Sequence, residues 1–176
     1  MSINIIAAIA KKRVIGFQGG LPWNISKDLK YFKNMTSGEN SAIVMGRKTW
    51  DSLPVKPLPN RSNYVLTKNN FKSTFPDGLV LKEPDDVIIL RKIYSDIWII
   101  GGEAIYKEYI NKPYIDRLYL TEIDSVYEGD TYFPKIPNNF KKITQGKDTL
   151  YKKNALEFSS FSFNVYSNYG YYDGCL

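Results

Sequence analysis

One carboxylate stands on the apolar face of a predicted helix. The stretch LPWNISKDLKYFK, residues 21–33, reads as a loop that turns into a helix with Ser26 as its N-cap. At about 100° per residue, Asp28 falls inside the apolar stripe of that helix. The stripe consists of Ile25, Leu29, Phe32 and Met35. An acid in the first turn could simply face the helix dipole from water, and the pattern leaves that alternative open. A buried Asp28 would need a partner, such as a cationic or amide-like group of a ligand.

Glycines and cations follow three of the predicted strands at the point where each strand ends. They are Gly46-Arg47-Lys48, Thr67-Lys68 and Gly101-Gly102. Ligands of parallel sheets bind beyond the carboxyl ends of the strands, so these cations could together hold a phosphomonoester such as the 2′-phosphate of NADP. The double glycine would let the backbone approach a ligand closely, and a helix beginning near Glu103 would offer N–H groups to a phosphate. Each feature alone is also typical of an ordinary turn or a solvated surface.

The residue types that are missing narrow the possible chemistry. The sequence has no histidine and a single cysteine, Cys175, which we interpret as a free thiol near the C-terminus. A Ser-His-Asp triad, a Cys-His pair, a disulfide framework and a zinc site built from His or Cys are therefore excluded. We expect no metal site, and proton chemistry must use Asp, Glu, Lys, Tyr or water.

Length and composition indicate one globular domain. The chain has 176 residues, of which 43% are hydrophobic, and we assign residues 1–167 to a single domain and 168–176 to a loosely ordered tail. No apolar run approaches the roughly 18 residues of a membrane span. The apolar stretch near the N-terminus precedes its basic residues, which favours a buried strand over a signal peptide. We expect a cytoplasmic monomer without a membrane partner.

The net charge of +6 is concentrated in the first third of the chain. Residues 1–60 hold nine Lys or Arg and three acids, whereas residues 61–176 hold fifteen of each. A basic bias can indicate nucleic acid, an anionic surface or an anionic small ligand. No zinc finger, aromatic RNA-binding strand or basic repeat is present, so we expect no nucleic-acid partner.

Strands and helices alternate along most of the chain. The predicted strands are 3–10, 41–46, 62–68, 78–81, 96–100, 116–124 and 156–167, and the predicted helices are 26–35, 47–53, 83–95 and 103–111. This alternation predicts an α/β fold with a mostly parallel, twisted central sheet of about eight strands, flanked by about four helices. The aromatic alternation of the last strand predicts that it closes the sheet in antiparallel orientation.

Seven stretches of the sequence together resemble dihydrofolate reductase, in that family's order and spacing. They are VIGFQGGLPW, DLKYFK, VMGRKTW, PLPNR, WIIGGEAIYK, LYLTEI and EGDTYFP. They span residues 3 to about 134, and the terminal aromatic strand fits more loosely. The resemblance implies an antifolate target that reduces 7,8-dihydrofolate to 5,6,7,8-tetrahydrofolate with NADPH, supporting one-carbon metabolism and thymidylate synthesis. Hydride would pass from nicotinamide C4 to pterin C6, with protonation at N5.

On the substrate side, the resemblance gives Asp28 the central role. Asp28 would bind the 2-amino group and N3–H of the pterin, with Thr121 holding its carboxylate, and Arg61 would bind the α-carboxylate of the glutamate tail. Residues 16–23 would form a mobile lid, with Leu21 at its tip and Trp23 among the catalytic residues. A water admitted by the lid would protonate N5. The remaining substrate-binding residues would be Ile6, Ala8, Leu29, Phe32, Ser52, Leu53, Leu58, Ile100 and Tyr106.

On the cofactor side, the resemblance assigns the 2′-phosphate of NADPH to Arg47, Lys48 and Lys68, together with Lys82. Thr49 and the turn at 101–105 would hold the pyrophosphate, and the Gly101–Gly102 peptide bond is cis in the family. The remaining cofactor-binding residues would be Ala8, Ile15, Gly19, Gly20, Leu21, Gly46, Leu66, Thr67, Gly101, Gly102, Glu103, Ala104, Ile105 and Tyr106.

Two positions depart from the family pattern, and three alternatives remain open. Asn60 replaces a common glycine, although Asn tolerates left-handed backbone. Glu103 replaces a small residue and brings a negative charge near the expected pyrophosphate. The alternatives are a riboflavin-pathway reductase on the same fold, a basic nucleic-acid-binding module and a non-catalytic paralogue. The first would not require Asp28 with Phe32 and Arg61, and the second would show a steep salt dependence of binding.

Overall fold

A nine-stranded sheet forms the centre of the molecule. The structure is a computed structural model, and it describes residues 1–68 and 79–170. The strands of this sheet are β1 (Ser2–Ala10), β3 (Ser41–Gly46), β4 (Ser62–Leu66), β5 (Val80–Leu81), β6 (Asp96–Gly101), β7 (Arg117–Ile123), β9 (Phe140–Gln145), β10 (Thr149–Lys152) and β11 (Phe158–Asn168). A second, two-stranded sheet pairs β2 (Val14–Gly16) with β8 (Thr131–Tyr132).

The strand order confirms the predicted, mostly parallel arrangement. The order is β10-β11-β7-β1-β6-β3-β4-β5, with β9 also pairing with β11. The pairs β1–β6, β1–β7, β3–β6, β3–β4 and β4–β5 are all parallel, so the carboxyl ends of these strands lie at one edge of the sheet. As predicted, β11 runs antiparallel to its neighbour β7.

Within residues 1–68 and 79–170, four helices flank the sheet: α1 (Ser26–Thr36), α2 (Arg47–Ser52), α3 (Val87–Leu90) and α4 (Glu103–Tyr109). Ser26 is the first helical residue of α1 and does not cap it, because the extended Ile25 occupies the N-cap position. The helix predicted over 83–95 is also shorter than expected. A 3₁₀ turn over Pro84–Asp86 precedes α3, and single turns rather than a continuous helix follow it. None of the helices among the described residues is long and apolar enough to cross a membrane.

The core lies on both faces of the sheet, as the continuous apolar runs of the strands require. One apolar cluster joins Ile5 and Ile99 to Tyr109 of α4 and Leu90 of α3. A second cluster on the opposite face packs α1 and α2 against the sheet. It contains Ile6, Ile43, Met45, Trp50, Val65 and Trp98, with Tyr31, Phe32 and Met35 at its margin.

The last strand of the chain, β11, does not form the edge of the sheet. β9 and β10 both pair with the outer side of β11, so these strands form the edge. The sequence does not reveal β9, because five of its six residues are exposed and no apolar alternation marks it. β2 and β8 were missed because they are only three and two residues long.

Two predictions fall partly outside the described residues. The strand predicted over 78–81 is present as β5, but residue 78 is not among the described residues. In the predicted tail, Asn168 is the last residue of β11, and its side chain donates to the carbonyl of Ile115 at 2.9 Å. Residues 171–176, with Cys175, lie outside the described part of the chain.

Candidate active site

Asp28 is buried on the inner side of α1. Its side chain is 7% exposed although it lies in the first helical turn, which decides between the two interpretations of the sequence. The turn forms because the carbonyl of buried Ile25 accepts the backbone N–H groups of Asp28 and Leu29, at 3.0 and 3.2 Å. Burial raises the pKa of Asp28 above its ordinary value of 3.8, and a hydrogen bond with Thr121 acts in the opposite direction.

Thr121 reaches Asp28 from the centre of the sheet. It lies on β7, is 2% exposed, and stands opposite Ala8 of β1 and Phe163 of β11. Its hydroxyl donates a hydrogen bond to the Asp28 carboxylate. The structure therefore brings together the two residues that the sequence placed more than ninety positions apart.

Two tyrosines lie within electrostatic range of the same carboxylate. The hydroxyl of buried Tyr106 donates to the carbonyl of Ile6 at 2.8 Å, and burial followed by the Asp28 charge raises its pKa. The ring of Tyr31 stacks on Phe163 at 4.1 Å. Burial, Tyr119 and Asp28 raise the pKa of Tyr31 to about 12. Both phenols are therefore neutral at physiological pH.

Arg61 contacts the C-terminal end of α1, whereas Asp28 lies in the first turn of that helix. Its Nε donates to the carbonyl of Pro59 at 3.0 Å, and a terminal nitrogen donates to the hydroxyl of Thr36. The guanidinium lies 6.0 Å from the centre of the Phe32 ring. Partial burial lowers the pKa of Arg61 from its ordinary value, but the group stays charged at physiological pH.

The turn before Arg61 confirms what the sequence indicated for Asn60. Asn60 adopts left-handed backbone with φ +61°, and its carbonyl accepts the N–H of Gly38 at 2.9 Å. Sequence reasoning missed the side chain that fixes this loop, which is that of Asn63. Asn63 is 1% exposed, and its amide exchanges two 2.9 Å hydrogen bonds with the backbone of Leu58 and donates a third to the carbonyl of Arg61. An asparagine within a strand pattern was the available signal.

The predicted lid, residues 16–23, has ordered internal contacts. Phe17 and Gly20 exchange backbone hydrogen bonds of 2.9 and 3.0 Å. The N–H of Gln18 donates to the carboxylate of Asp130 at 2.8 Å, a partner that the sequence did not reveal. Leu21 is 52% exposed.

Trp23, at the end of the lid, carries a buried donor without a partner. The residue is 7% exposed, and its ring packs edge-on against Tyr127 at 5.3 Å. Its indole N–H has no hydrogen-bond partner among the described residues. A buried N–H in this position fits a polar atom of a bound substrate or water.

The glycine turn on the cofactor side requires glycine for steric reasons. The Gly101–Gly102 peptide bond is cis, as the family resemblance predicted, and Gly101 has φ +102°. A Cβ on Gly101 would lie 2.6 Å from ring atoms of Tyr106, and one on Gly46 would lie 2.8 Å from Ile105. One on Gly102 would lie 3.2 Å from the hydroxyl of Thr49. The ends of β3 and β6 are thus packed closely against α4 and α2.

The predicted phosphate-binding cations lie at this same edge of the sheet. Lys48, Lys68 and Lys82 are exposed. The Nε of Arg47 is paired with the carboxylate of Asp51 at 2.8 Å, and its guanidinium is about half exposed. Because β4 and β5 are paired neighbours, the strand ends that carry Lys68 and Lys82 lie side by side.

Glu103 turns its carboxylate toward protein groups. One oxygen pairs with Lys107 a turn later in α4, and the other accepts the backbone N–H of Tyr132 at 3.0 Å. The hydrogen bond from Lys107 lowers the pKa of Glu103, so the side chain is charged at neutral pH. Both oxygens of the unusual acid are therefore engaged within the protein.

The other predicted site residues differ in how deeply they are buried. The apolar cluster under α1 contains Ile6, Phe32, Leu53, Leu58 and Ile100. The residues that are exposed, and that a ligand could cover, are Gly19, Gly20, Leu29, Ser52 and Ala104. Those that are partly buried are Ala8, Ile15, Leu66 and Thr67.

The arrangement favours binding and electrostatic chemistry. Among the described residues, no group of three or more Asp, Glu, His or Cys side chains could hold a metal ion. A buried carboxylate at one end of α1, a guanidinium at the other end and an apolar cluster under the helix suit a flat ligand with an amide-like edge and an anionic tail.

Comparison with known proteins agrees with this geometry. The family model described as dihydrofolate reductase matches residues 2–167. A dihydrofolate reductase of Buchnera aphidicola is 41% identical over 162 residues, covering 90% of this chain and 96% of the relative. The enzyme of Bacillus subtilis is 38% identical over 157 residues, covering 89% and 90%.

A solved structure shares both the fold and much of the sequence. It is the dihydrofolate reductase of Enterococcus faecalis in complex with NADP(H) and RAB-propyl. It superposes with a TM-score of 0.82 at 32% identity, covering 95% of this chain and 96% of that one. The chain belongs to the dihydrofolate reductase family, and with it to the NADPH-dependent oxidoreductases.

Proposed function

We propose that this chain reduces 7,8-dihydrofolate to 5,6,7,8-tetrahydrofolate with NADPH, by hydride transfer to pterin C6 and protonation at N5. The observation that carries this proposal is the buried carboxylate of Asp28. None of the ion pairs among the described residues includes Asp28, so its charge is left for a ligand to compensate. The 2-amino group and N3–H of a pterin form the matching pair of donors.

The remaining contacts of the substrate would be with the apolar cluster under α1 and with Arg61. The rings of the substrate would pass along Phe32, Leu53 and Leu58, and its α-carboxylate would reach Arg61. Arg61 is held in place by Pro59 and Thr36, so its guanidinium is pre-organised for a carboxylate. Such an anchor far from the reacting carbon contributes binding energy and orientation.

The cofactor fits the donor set at the carboxyl edge of the sheet. Arg47, Lys48, Lys68 and Lys82 would hold the 2′-phosphate, and Thr49 with the 101–105 turn would hold the pyrophosphate. Bound NADPH supplies the hydride. The chain contributes the surface that orients the nicotinamide, for which we propose Ala8, Ile100 and Tyr106.

Protonation at N5 is assigned to water, with Asp28 acting electrostatically. Burial raises the pKa of Asp28, yet the hydrogen bond with Thr121 favours its charged form, which stabilises positive charge on the pterin. The unpartnered indole N–H of Trp23 is a suitable donor for that water or for the pterin carbonyl. The lid, with Leu21 at its tip, would control the access of water to N5.

We further propose that the enzyme acts as a monomer in the cytoplasm and binds no nucleic acid. The sheet edge formed by β9 and β10 carries Lys141, Lys142 and Lys152, which disfavour pairing with a second sheet edge. Light scattering coupled to size-exclusion chromatography measures the mass in solution. A dimer mass would overturn the monomer.

The experiment that tests the reaction uses NADPH deuterated at the transferred position of C4. We expect proton NMR to locate the label at C6 of the product when dihydrofolate is the substrate. The pyrimidine ribosyl substrate of the riboflavin pathway serves as the comparison and should remain unreduced. Reduction of the pyrimidine substrate but not of dihydrofolate would replace this proposal with the rival reductase.

A further inference from the structure

The side chain of Glu103 has no role in the proposed reaction, yet its carboxylate makes two specific contacts. The ion pair with Lys107 fixes the side chain against α4. The second oxygen then accepts the N–H of Tyr132, which belongs to another part of the chain. The contact thus connects the residue after the glycine turn to β8.

The segment that Glu103 contacts also holds the lid. Asp130, two residues before Tyr132, accepts the N–H of Gln18 at 2.8 Å. The backbone N–H of Asp130 donates to the carbonyl of Gly16 at 3.1 Å, and Thr131 stands opposite Gly16 in the β2–β8 ladder. Residues 130–132 are therefore bonded to the lid at one end and to Glu103 at the other.

We propose that Glu103 is a positioning residue that holds the lid in register with the cofactor turn, acting through residues 130–132. This inference rests on the proposed function, because the turn at 101–105 is assigned to the cofactor there. If the contact is lost, residues 130–132 move more freely, and the lid loses its fixed position over bound NADPH. The cofactor is then released faster.

A second anchor of the same segment makes the inference testable. Phe133 is fully buried, packs 4.9 Å from the ring of Tyr106, and donates its N–H to the carbonyl of Arg13 at 2.7 Å. If this core anchor alone fixed the segment, Glu103 would be dispensable. The two possibilities differ in what removal of the Glu103 side chain does to the lid.

The charge of Glu103 and its contact with Tyr132 predict opposite effects on NADPH binding. A carboxylate near a pyrophosphate repels it, so loss of the charge alone would strengthen NADPH binding. Loss of the contact to Tyr132 would weaken binding. Glu103→Gln removes the charge and keeps an oxygen that can accept the Tyr132 N–H, whereas Glu103→Ala removes both.

The experiment measures NADPH release by stopped-flow fluorescence in the parent, Glu103→Ala, Glu103→Gln and Lys107→Met. We expect release from Glu103→Ala to be about five- to tenfold faster, which is less than the full effect of losing one hydrogen bond to a charged group because this contact acts on the cofactor only through residues 130–132. Glu103→Gln loses only the charge, so it should release NADPH at the parent rate or up to about twofold more slowly. The rate for Lys107→Met should lie between those of the two Glu103 variants. The proposal would be overturned if NADPH bound equally more tightly to Glu103→Ala and Glu103→Gln, or if Glu103→Ala released NADPH at the parent rate.

Two further measurements separate this inference from the proposed function. Amide hydrogen exchange in the ligand-free protein should become faster at Gln18 and Tyr132 in Glu103→Ala, while melting temperature changes little. In addition, Glu103→Ala and Asp130→Ala should be non-additive in NADPH release, because both act on one segment. Additive effects or unchanged exchange would overturn the role of Glu103. If exchange is faster in Glu103→Ala but the parent binds no NADPH, the result would overturn the proposed function instead.

Discussion

The hydroxyl of Thr121 hydrogen-bonds to the carboxylate of Asp28, and both side chains are almost completely buried. The bond favours the charged form of an acid whose burial favours the neutral form. The balance between these two effects sets the pH range in which Asp28 can bind a cationic or amide-like group.

We expect Thr121→Val to shift the pH dependence of the reaction. Removal of the hydroxyl raises the pKa of Asp28 further, so the fall of kcat/KM on the acid side moves to higher pH. At neutral pH the loss of a hydrogen bond to a charged group, about 1.5–3 kcal/mol, should lower kcat/KM about ten- to hundredfold. Thr121→Ser, which keeps the hydroxyl, is the matched control. An unchanged profile in Thr121→Val would show that the bond has no such effect.

Asp28→Asn should stabilise the protein while it abolishes most of the activity. The pKa of Asp28 is higher in the folded state than its ordinary value of 3.8. The folded state therefore binds the proton more tightly, and its stability falls as pH rises from 3.8 through the folded pKa. Asp28→Asn has no charge at this position and does not lose stability as pH rises. At neutral pH its melting temperature should therefore be a few degrees higher than that of the parent. A lower melting temperature than that of the parent at pH 7 would contradict the sign.

Arg61→Ala should affect only substrates that carry the glutamate tail. The loss of a charge-assisted contact predicts a KM for dihydrofolate about ten- to hundredfold higher. The KM for dihydropteroate, which lacks the glutamate, should change little, and Arg61→Lys should give an intermediate effect because it keeps the charge without the planar fork. Equal effects on both substrates would indicate that Arg61 supports the fold of the cleft instead.

Gly101→Ala should destabilise the whole domain. The φ of +102° is unfavourable for any residue with a Cβ, and that atom would lie 2.6 Å from the Tyr106 ring. Backbone strain and overpacking together predict a free energy of unfolding lower by about 3 kcal/mol. Urea denaturation measures it, with Gly20→Ala as the control, since a Cβ there would meet only one atom at 3.9 Å. A Gly101→Ala midpoint equal to that of the control would contradict the steric argument.

Strands with apolar runs could be predicted from the sequence, and strands without them could not. β1, β3 and β6 are buried on both faces, so their composition alone reveals them. β9 and β10 lie at the sheet edge with mostly exposed side chains, and their pairing with β11 is a tertiary effect. The helix predicted after Glu83 was too long because Ile89 and Ile93 are apolar yet exposed.

The sequence predicts which residues the candidate site contains, but it does not predict the hydrogen bonds that connect them. Asp28 was marked by an acid in an apolar stripe, and the family resemblance supplied its partner Thr121. The support of the cleft by Asn63 and Thr36 depends on hydrogen bonds between loops, which no local pattern encodes. The same holds for Glu103, whose partner Tyr132 lies in a two-residue strand.

The most direct test of the central claim is the fall in near-ultraviolet absorbance when the protein is mixed with NADPH and dihydrofolate, measured beside Asp28→Asn. We expect rapid oxidation of NADPH by the parent and a rate at least about 100-fold lower in the variant, with NADPH binding preserved in both. A folded parent that binds NADPH but does not oxidise it in the presence of dihydrofolate would contradict the claim.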